Sequence, residues 1–324
     1  MGFLYSQLVE SRSLPYPETL YSGKTIVITG SNVGLGLEAA RHYARLDASK
    51  LILAVRNLDK GLAAKEKILL TASKATEIEV WKLDMADYDS VKSFAARVSS
   101  DLDRVDIFHA NAGLVCVDFT MTAGNETMIT VNVVSTFLLV ALVLPKLKET
   151  AAKFNIRPTL VITSSGAYKH TKFPHKSEPK IFDALNDKAY AIAHWNDQYP
   201  MSKLLEIFAL RCIAEEHPAS SYPVTINAVS PGLCHSQLSR QVSGFQRIAF
   251  SVVKAFIARS TELGSRTLVN AGVQGPESHG QYLDDCKVAM PEEVITANRD
   301  GQARLWTELK AKLEEIQPGV TNNF

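Results

Sequence analysis

A short apolar run, Thr25–Ile28, leads into Thr29-Gly30-Ser31-Asn32-Val33-Gly34-Leu35-Gly36, and the residues after it, Leu37-Glu38-Ala39-Ala40-Arg41-His42, have helical composition. Glycines at these intervals between a strand and a helix leave few options for the fold. Gly30 permits a tight exit from the strand, Gly34 lets backbone approach an anion, and Gly36 lets the helix pack closely. The main chain of Asn32, Val33 and Leu35 and the helix N-terminus then face that anion, which is how a dinucleotide pyrophosphate is held.

The pattern continues down the chain. Leu51–Val55, Ile78–Leu83, Val105–His109, Leu160–Thr163 and Val224–Val229 read as further strands, with helices expected from near Asp59, Asp87, Glu126 and Tyr199. Alternating strands and helices with right-handed crossovers give an α/β fold of Rossmann type, a doubly wound parallel sheet with helices on both faces. No Pro/Gly/Ser-rich linker and no repeat breaks the alternation, so one domain is expected to fill most of the 324 residues. Residues 1–22 form an N-terminal extension, residues 23–290 the main domain, and residues 291–324 a helical tail. Two stretches fall outside the alternation: a polar insert, 169–198, and an apolar-rich segment, 238–260.

The end of the second strand bears on cofactor choice. A carboxylate there would bind the ribose 2′-hydroxyl of NAD, but the chain has Ala54-Val55-Arg56-Asn57. Arg56, with Lys60 one helical turn on, suits a 2′-phosphate, so NADP(H) is the expected cofactor. Asp84, after the third strand, is placed to accept from the adenine amino group, or else to cap the next helix. Asn111-Ala112-Gly113 ends the fourth strand under the adenosine ribose, or is an ordinary turn.

Chemistry is carried by Tyr199-Pro200-Met201-Ser202-Lys203, which sets a phenol and an ammonium four residues apart on one helix face. A nearby positive charge favours phenolate and is expected to pull Tyr199 toward neutral pH. Upstream, the fifth strand delivers Ser164-Ser165-Gly166 at its carboxyl end, where open α/β sheets bind ligands. Downstream, Ser230-Pro231-Gly232-Leu233-Cys234-His235-Ser236 turns the chain where Cys234 and Ser236 can meet a nicotinamide carboxamide.

T-G-x-x-x-G-x-G, N-A-G, a serine after the fifth strand, Y-x-x-x-K and a late P-G occur here in the order of the short-chain dehydrogenase/reductase family, which the chain resembles from about Gly23 to Asp285. The resemblance implies an oxidoreductase moving hydride between NADP(H) and a carbonyl or alcohol. It implies Tyr199 as acid/base, Lys203 tuning Tyr199 and binding ribose, Ser165 (or Ser164) on the substrate oxygen, and Asn132 holding a water that relays protons to Lys203. It also implies homodimer or monomer, with the apolar helix holding Val131–Leu144 buried on the sheet or at a dimer seam. Arg56 and the long insert resemble the retinol-dehydrogenase-like branch and reductases of fungal biosynthetic pathways, hence an apolar small-molecule substrate such as a secondary-metabolite intermediate. A non-redox member of the fold or a silent NADP(H) sensor are the alternatives.

Ser165 and Tyr199 lie 34 residues apart, so the insert must loop out before the chain returns to the site. The 238–260 segment reads as a substrate lid, as core packing or as a membrane-surface contact, with Trp195 a candidate pocket wall. No stretch of uncharged apolar residues is expected to reach the roughly 18 that a membrane span needs, and no leader opens the chain, so a cytoplasmic setting is expected, with peripheral membrane contact left open. A formal charge of +1 gives no basis for nucleic-acid binding. Cys116, Cys212, Cys234 and Cys286 show no C-x-x-C spacing and the histidines no ligand spacing, so neither disulfide nor metal is expected.

Overall fold

Strands whose neighbouring side chains are all apolar can be buried only in a sheet covered on both faces. The computed structural model describes residue 7 and residues 14–73, 76–235 and 257–324. It has such a sheet, built from β1 (Thr25–Thr29), β2 (Lys50–Val55), β3 (Glu77–Lys82), β4 (Ile107–Ala110), β7 (Thr159–Thr163), β8 (Thr225–Ser230), β9 (Tyr282–Asp284) and β10 (Lys287–Val288). A separate two-stranded hairpin, β5 (Met121–Thr122) and β6 (Asn125–Glu126), lies between β4 and β7 in sequence. The sheet order is β3-β2-β1-β4-β7-β8-β9-β10, parallel except for the β9–β10 pair. The register sets Val27 beside Ile52 on one side and Phe108 on the other. The chain reverses its direction of travel across the sheet between β1 and β4, and such a switch point opens a crevice at the carboxyl ends of the strands.

Alternate residues serve opposite faces. Val27, Ile52, Phe108, Leu160 and Ile162 belong to a core shared with helices Tyr88–Asp101, Ser135–Phe154, Trp195–Glu216 and Arg299–Ile316. Ile26, Ile28, Leu51, Leu53 and Val161 pack on the other side with Ala39, Ala40 and Tyr43 of helix Gly34–Arg45 and Leu268 of helix Thr261–Ala271. The described part of the N-terminal extension lies over these last two helices: Leu14 and Tyr21 are buried, and Leu14 and Pro17 accept hydrogen bonds from Arg266 and Arg45.

Several expectations need correction. The helix placed near Glu126 does begin there, at Thr127, directly after the β5–β6 hairpin, but it is not α-helical throughout: it passes through a π-helical turn, Ile129–Val134, before continuing as Ser135–Phe154. Together these last two are long and apolar enough to cross a membrane, contrary to the sequence expectation, but the helix is buried inside the chain and serves as its core. The helix expected from Tyr199 begins at Trp195, so Tyr199 sits in its second turn. The insert is structured as two 3₁₀ turns, Gly166–His170 and Pro174–Ser177, and two short helices, Ile181–Asn186 and Lys188–Ala193. The tail does carry a helix, Arg299–Ile316, which holds this insert in place. Its Glu308 carboxylate accepts from the Ile181 and Phe182 N–H groups at 3.0 Å each, and its Arg304 donates to the carbonyls of Lys176, Glu178 and Pro179.

Candidate active site

The ends of β1 and β4 are stitched together by one hydroxyl. Thr29 Oγ1 accepts from the Asn111 and Ala112 N–H groups at 2.9 Å each and donates to the His109 carbonyl at 3.2 Å. Asn111 Nδ2 donates to the Thr29 carbonyl at 2.8 Å. The glycine turn packs into this junction: a Cβ on Gly36 would stand 2.7 Å from both Asn111 Nδ2 and the Gly30 oxygen, so no other residue fits. Gly34 differs. Its φ of +62° favours glycine, and a Cβ there would meet nothing within 4 Å.

Helix Gly34–Arg45 begins at Val33 with no side-chain cap and no acid in its first turn. Its leading N–H groups therefore have no side-chain acceptor, beside open space, with Asn32, Val33 and Leu35 half-buried around them. This donor set fits an anionic pyrophosphate.

Around the β2 end, Arg56 and Lys60 are both exposed, and Asn57 caps helix Leu58–Leu69 by accepting from the Lys60 N–H at 2.9 Å. Lys82, a third cation that the sequence reading passed over, donates to the Arg56 carbonyl at 2.6 Å from the end of β3. Asp84 is half-buried and accepts from the Ala86 N–H at 3.1 Å. The cap of the following helix is Asp87, not Asp84.

On the other side of the crevice, the structured insert folds away and returns the chain so that the Ser165 hydroxyl is a neighbour of the Tyr199 phenol and acts to lower its pKa. Ser164 continues the sheet, its N–H donating to Val229, and its hydroxyl lies 3.4 Å from the Lys203 carbonyl oxygen, away from the phenol. The Lys203 ammonium is buried. It donates to the Thr163 carbonyl at 3.1 Å and to Glu206 Oε1 at 2.7 Å, and lies 5.9 Å from the centre of the Tyr199 ring.

Asn132 sits in the π-helical turn and is fully buried. Its amide donates to the Leu114 carbonyl at 3.0 Å and to Ser202 Oγ at 3.1 Å, and its Oδ1 accepts from the Leu114 N–H at 2.9 Å. Ser202 in turn donates to the Tyr199 carbonyl at 2.8 Å, so the asparagine braces the helix that carries the tyrosine. A Cβ on Gly113 would stand 3.3 Å from Asn132 Oδ1 and 3.7 Å from Lys203 Nζ. The missing side chain thus leaves a space bordered by both groups.

The electrostatics depart from expectation at the phenol. Desolvation outweighs the lowering pull of Lys203 and Ser165 and holds the Tyr199 pKa above that of an ordinary tyrosine, although the side chain is only partly covered. Lys203 acts in the expected direction; the protein alone does not carry the phenol to neutral pH. Burial works against the Lys203 charge too, but Glu206 and Tyr199 outweigh it and hold the ammonium above the usual lysine value.

The remaining expected residues are scattered about this centre. Cys234 is buried, its thiol 3.2 Å from the Pro231 carbonyl, and a Cβ on Gly264 would clash with its sulfur. None of the four cysteines forms a disulfide, and no group of metal-ligating side chains occurs among the described residues. Trp195 meets the Phe119 ring edge-on at 6.5 Å. Ser236 lies outside the described residues, as does residues 238–256 of the expected lid.

Sequence reasoning missed Glu206 and Ser202. Both were findable as residues on the helix of Tyr199 and Lys203, Glu206 seven places after the tyrosine and so on its face of the helix.

A family model described as short chain dehydrogenase matches residues 24–173. A short chain dehydrogenase/reductase of Cryptosporiopsis sp., dmxR8, is 60% identical over the whole of both chains. Among solved structures, a Pseudomonas aeruginosa RhlG/NADP active-site complex superposes with a TM-score of 0.61 at 18% identity, over 83% of this chain and 97% of that one. A 7α-hydroxysteroid dehydrogenase complexed with NADH and 7-oxo glycochenodeoxycholic acid also gives 0.61, at 20% identity, over 82% of this chain and 93% of that one.

Proposed function

Since the chain belongs to the short-chain dehydrogenase/reductase family of oxidoreductases, we propose that it is an NADP(H)-dependent enzyme interconverting a carbonyl and an alcohol on an apolar small molecule, with Tyr199 as its acid/base. The observation that carries this reading is the convergence of Ser165, Tyr199 and Lys203 at the carboxyl end of the sheet, beside an uncapped helix N-terminus.

Gly30, Gly34, Gly36 and the main chain between them would hold the pyrophosphate, Asn111-Ala112-Gly113 the adenosine ribose, and Asp84 the adenine. Arg56 and Lys60, with Lys82 behind them, would hold the 2′-phosphate, which supports NADP over NAD. The bound nicotinamide supplies or accepts the hydride.

In the reducing direction Ser165 and Tyr199 hydrogen-bond the substrate oxygen, and the Tyr199 hydroxyl gives up its proton to that oxygen as charge develops there. Lys203, fixed by the Thr163 carbonyl and Glu206, keeps one ammonium hydrogen for the nicotinamide ribose and stabilises the phenolate that remains. Reprotonation would run through the space beside Gly113, where a water held by Asn132 Oδ1 shares the third ammonium hydrogen of Lys203 with the ribose.

The test is Tyr199→Phe. Wild-type protein is expected to consume NADPH with apolar ketones or aldehydes, or to reduce NADP with the matching alcohols. The variant is expected to lose turnover while binding NADPH with unchanged affinity. Substantial residual activity would overturn the assignment, and substrate conversion without any cofactor turnover would move the chain to a non-redox chemistry.

A further inference from the structure

The helix that carries Tyr199 and Lys203 also carries an acid on the same stripe. Tyr199, Lys203 and Glu206 are spaced four and three residues apart, so at 100° per residue all three fall within about 60° around the helix, with the lysine between the other two along its axis. Glu206 is 2% exposed and Lys203 5%, and they meet at 2.7 Å. An acid buried to this degree is costly unless a partner offsets the loss of water, and an apolar residue would suit this helix face better for packing alone. The pair therefore calls for an explanation beyond stability.

We propose that Glu206 is a positioning residue: it pins the Lys203 ammonium from behind, and its negative charge sets the pH at which the Tyr199–Lys203 pair gives up a proton. The proposal rests on the assignment of Tyr199 and Lys203 made above. The ammonium has three hydrogens; two are spent, on the Thr163 carbonyl and on Glu206 Oε1, which fixes the direction of the third.

The groups acting on the carboxyl are Lys203 from its own helix and the Ser164 hydroxyl from the end of β7; Tyr199 and Glu206 act on Lys203 together. The other elements packed around the pair present the Thr163 carbonyl, the Ser165 hydroxyl and the Asn132 amide, none of which titrates. Burial pushes the Glu206 carboxyl up to about 7 against the pull of Lys203. Below that pH it is neutral, as a glutamine would be. Above it, the carboxylate opposes loss of any proton from the pair.

Removing one negative charge from a coupled cluster lowers the first deprotonation of what remains, whichever member yields the proton. Glu206→Gln is thus expected to shift the alkaline transition of the pair down by about one unit, with profiles that coincide below about pH 7 and diverge above it. Glu206→Asp, which keeps the charge, is expected to restore the wild-type position even if turnover falls.

Two measurements read this. One is the pH profile of kcat/KM. The other needs no turnover: the phenolate absorbance of each protein is titrated without cofactor, and that of its Tyr199→Phe counterpart is subtracted. Superimposable titrations for wild type and a folded Glu206→Gln would overturn the proposal, as would a Glu206→Asp variant that shifts as far as the glutamine. Should the glutamine variant not fold, Glu206→Met, which also removes the charge, takes its place: a lowered midpoint supports the proposal, and a midpoint left where it was, as a purely structural role requires, overturns it. Failure of the parent assignment is a separate outcome, shown by a Tyr199→Phe enzyme that still turns over.

Discussion

Arg56 offers the sharpest test of cofactor choice because its expected effect falls on one phosphate. The guanidinium is exposed at the end of β2, one residue before the cap of helix Leu58–Leu69. Hydrogen bonds to charged groups are worth about 1.5–3 kcal/mol, and solvent screening at an exposed site puts this one near the lower end. Arg56→Ala should therefore weaken NADPH binding by about tenfold, since about 1.4 kcal/mol corresponds to a decade. Lys60 is exposed too and acts as a point charge worth roughly 0.5 kcal/mol, so the double variant should lose about twenty- to thirtyfold. NADH has no phosphate at that position, and its affinity should not change. Fluorescence titration with both nucleotides measures the difference directly. Repeating it at 1 M salt, where the Debye length contracts from about 8 Å to about 3 Å, should shrink the wild-type preference for NADPH. Equal losses for the two nucleotides would make Arg56 a general seat for the cofactor, and an unchanged NADPH affinity would remove it from the site.

Two further perturbations address the proton path and the core. Gly113→Ala fills the space between Asn132 Oδ1 and Lys203 Nζ with a methyl group only 3.3 Å from the former. It should cut kcat at least tenfold, a part of the roughly 10²–10⁴ that positioned proton transfer contributes, with a melting temperature close to wild type; undiminished turnover would exclude that route. His109 is buried beside the Tyr43 hydroxyl at 2.7 Å, and desolvation lowers its pKa to about 3. A folded pKa below the unfolded one contributes stability that is complete above about pH 6.5 and is lost as the pH falls toward 3, at up to about 1.4 kcal/mol per unit. Urea midpoints should drop across that window, and His109→Gln, which keeps a partner for Tyr43, should flatten the drop. A variant as acid-sensitive as wild type would refute this origin.

What the sequence disclosed follows from how each element is stabilised. The inner parallel strands were legible because burial on both faces demands apolar runs, and Ile26, Val27 and Ile28 show the demand directly, whereas the edge strand β3 shows instead the alternation of Ile78, Val80 and Trp81 with charged residues. The strand Tyr282–Asp284 was not. Three residues carry no period, and it exists because β8 offers it a free edge, with Leu283 beside Val229. The π-helical turn was equally hidden, since nothing in Ile-Thr-Val-Asn-Val-Val distinguishes it from α-helix. The apolar helix behind it was read as buried, but its partners were not legible: Lys148 reaches the Asn323 and Phe324 carbonyls, contacts that join residues 175 and 176 positions apart.

The site itself divides the same way. Motif order names Tyr199 and Lys203, because a phenol and an ammonium four apart on a helix share a face whatever surrounds them. It cannot choose between Ser164 and Ser165, which differ by one position. Strand geometry favours Ser165 for the proposed role, because successive residues leave a strand in opposite directions. Ser164 keeps its ladder bond to Val229 and sends its hydroxyl toward the lysine backbone, whereas Ser165 has left the ladder, caps the next turn by accepting from the Ala167 N–H at 3.2 Å, and lies toward the phenol. That outcome depends on the insert, 169–198, returning the chain to the same edge of the sheet, and the insert is anchored by Arg304 and Glu308, more than 100 positions downstream. A serine whose neighbour is fixed by the sheet and whose partner is delivered by the tail is a property of the whole fold, and no local reading of its surroundings could have assigned it.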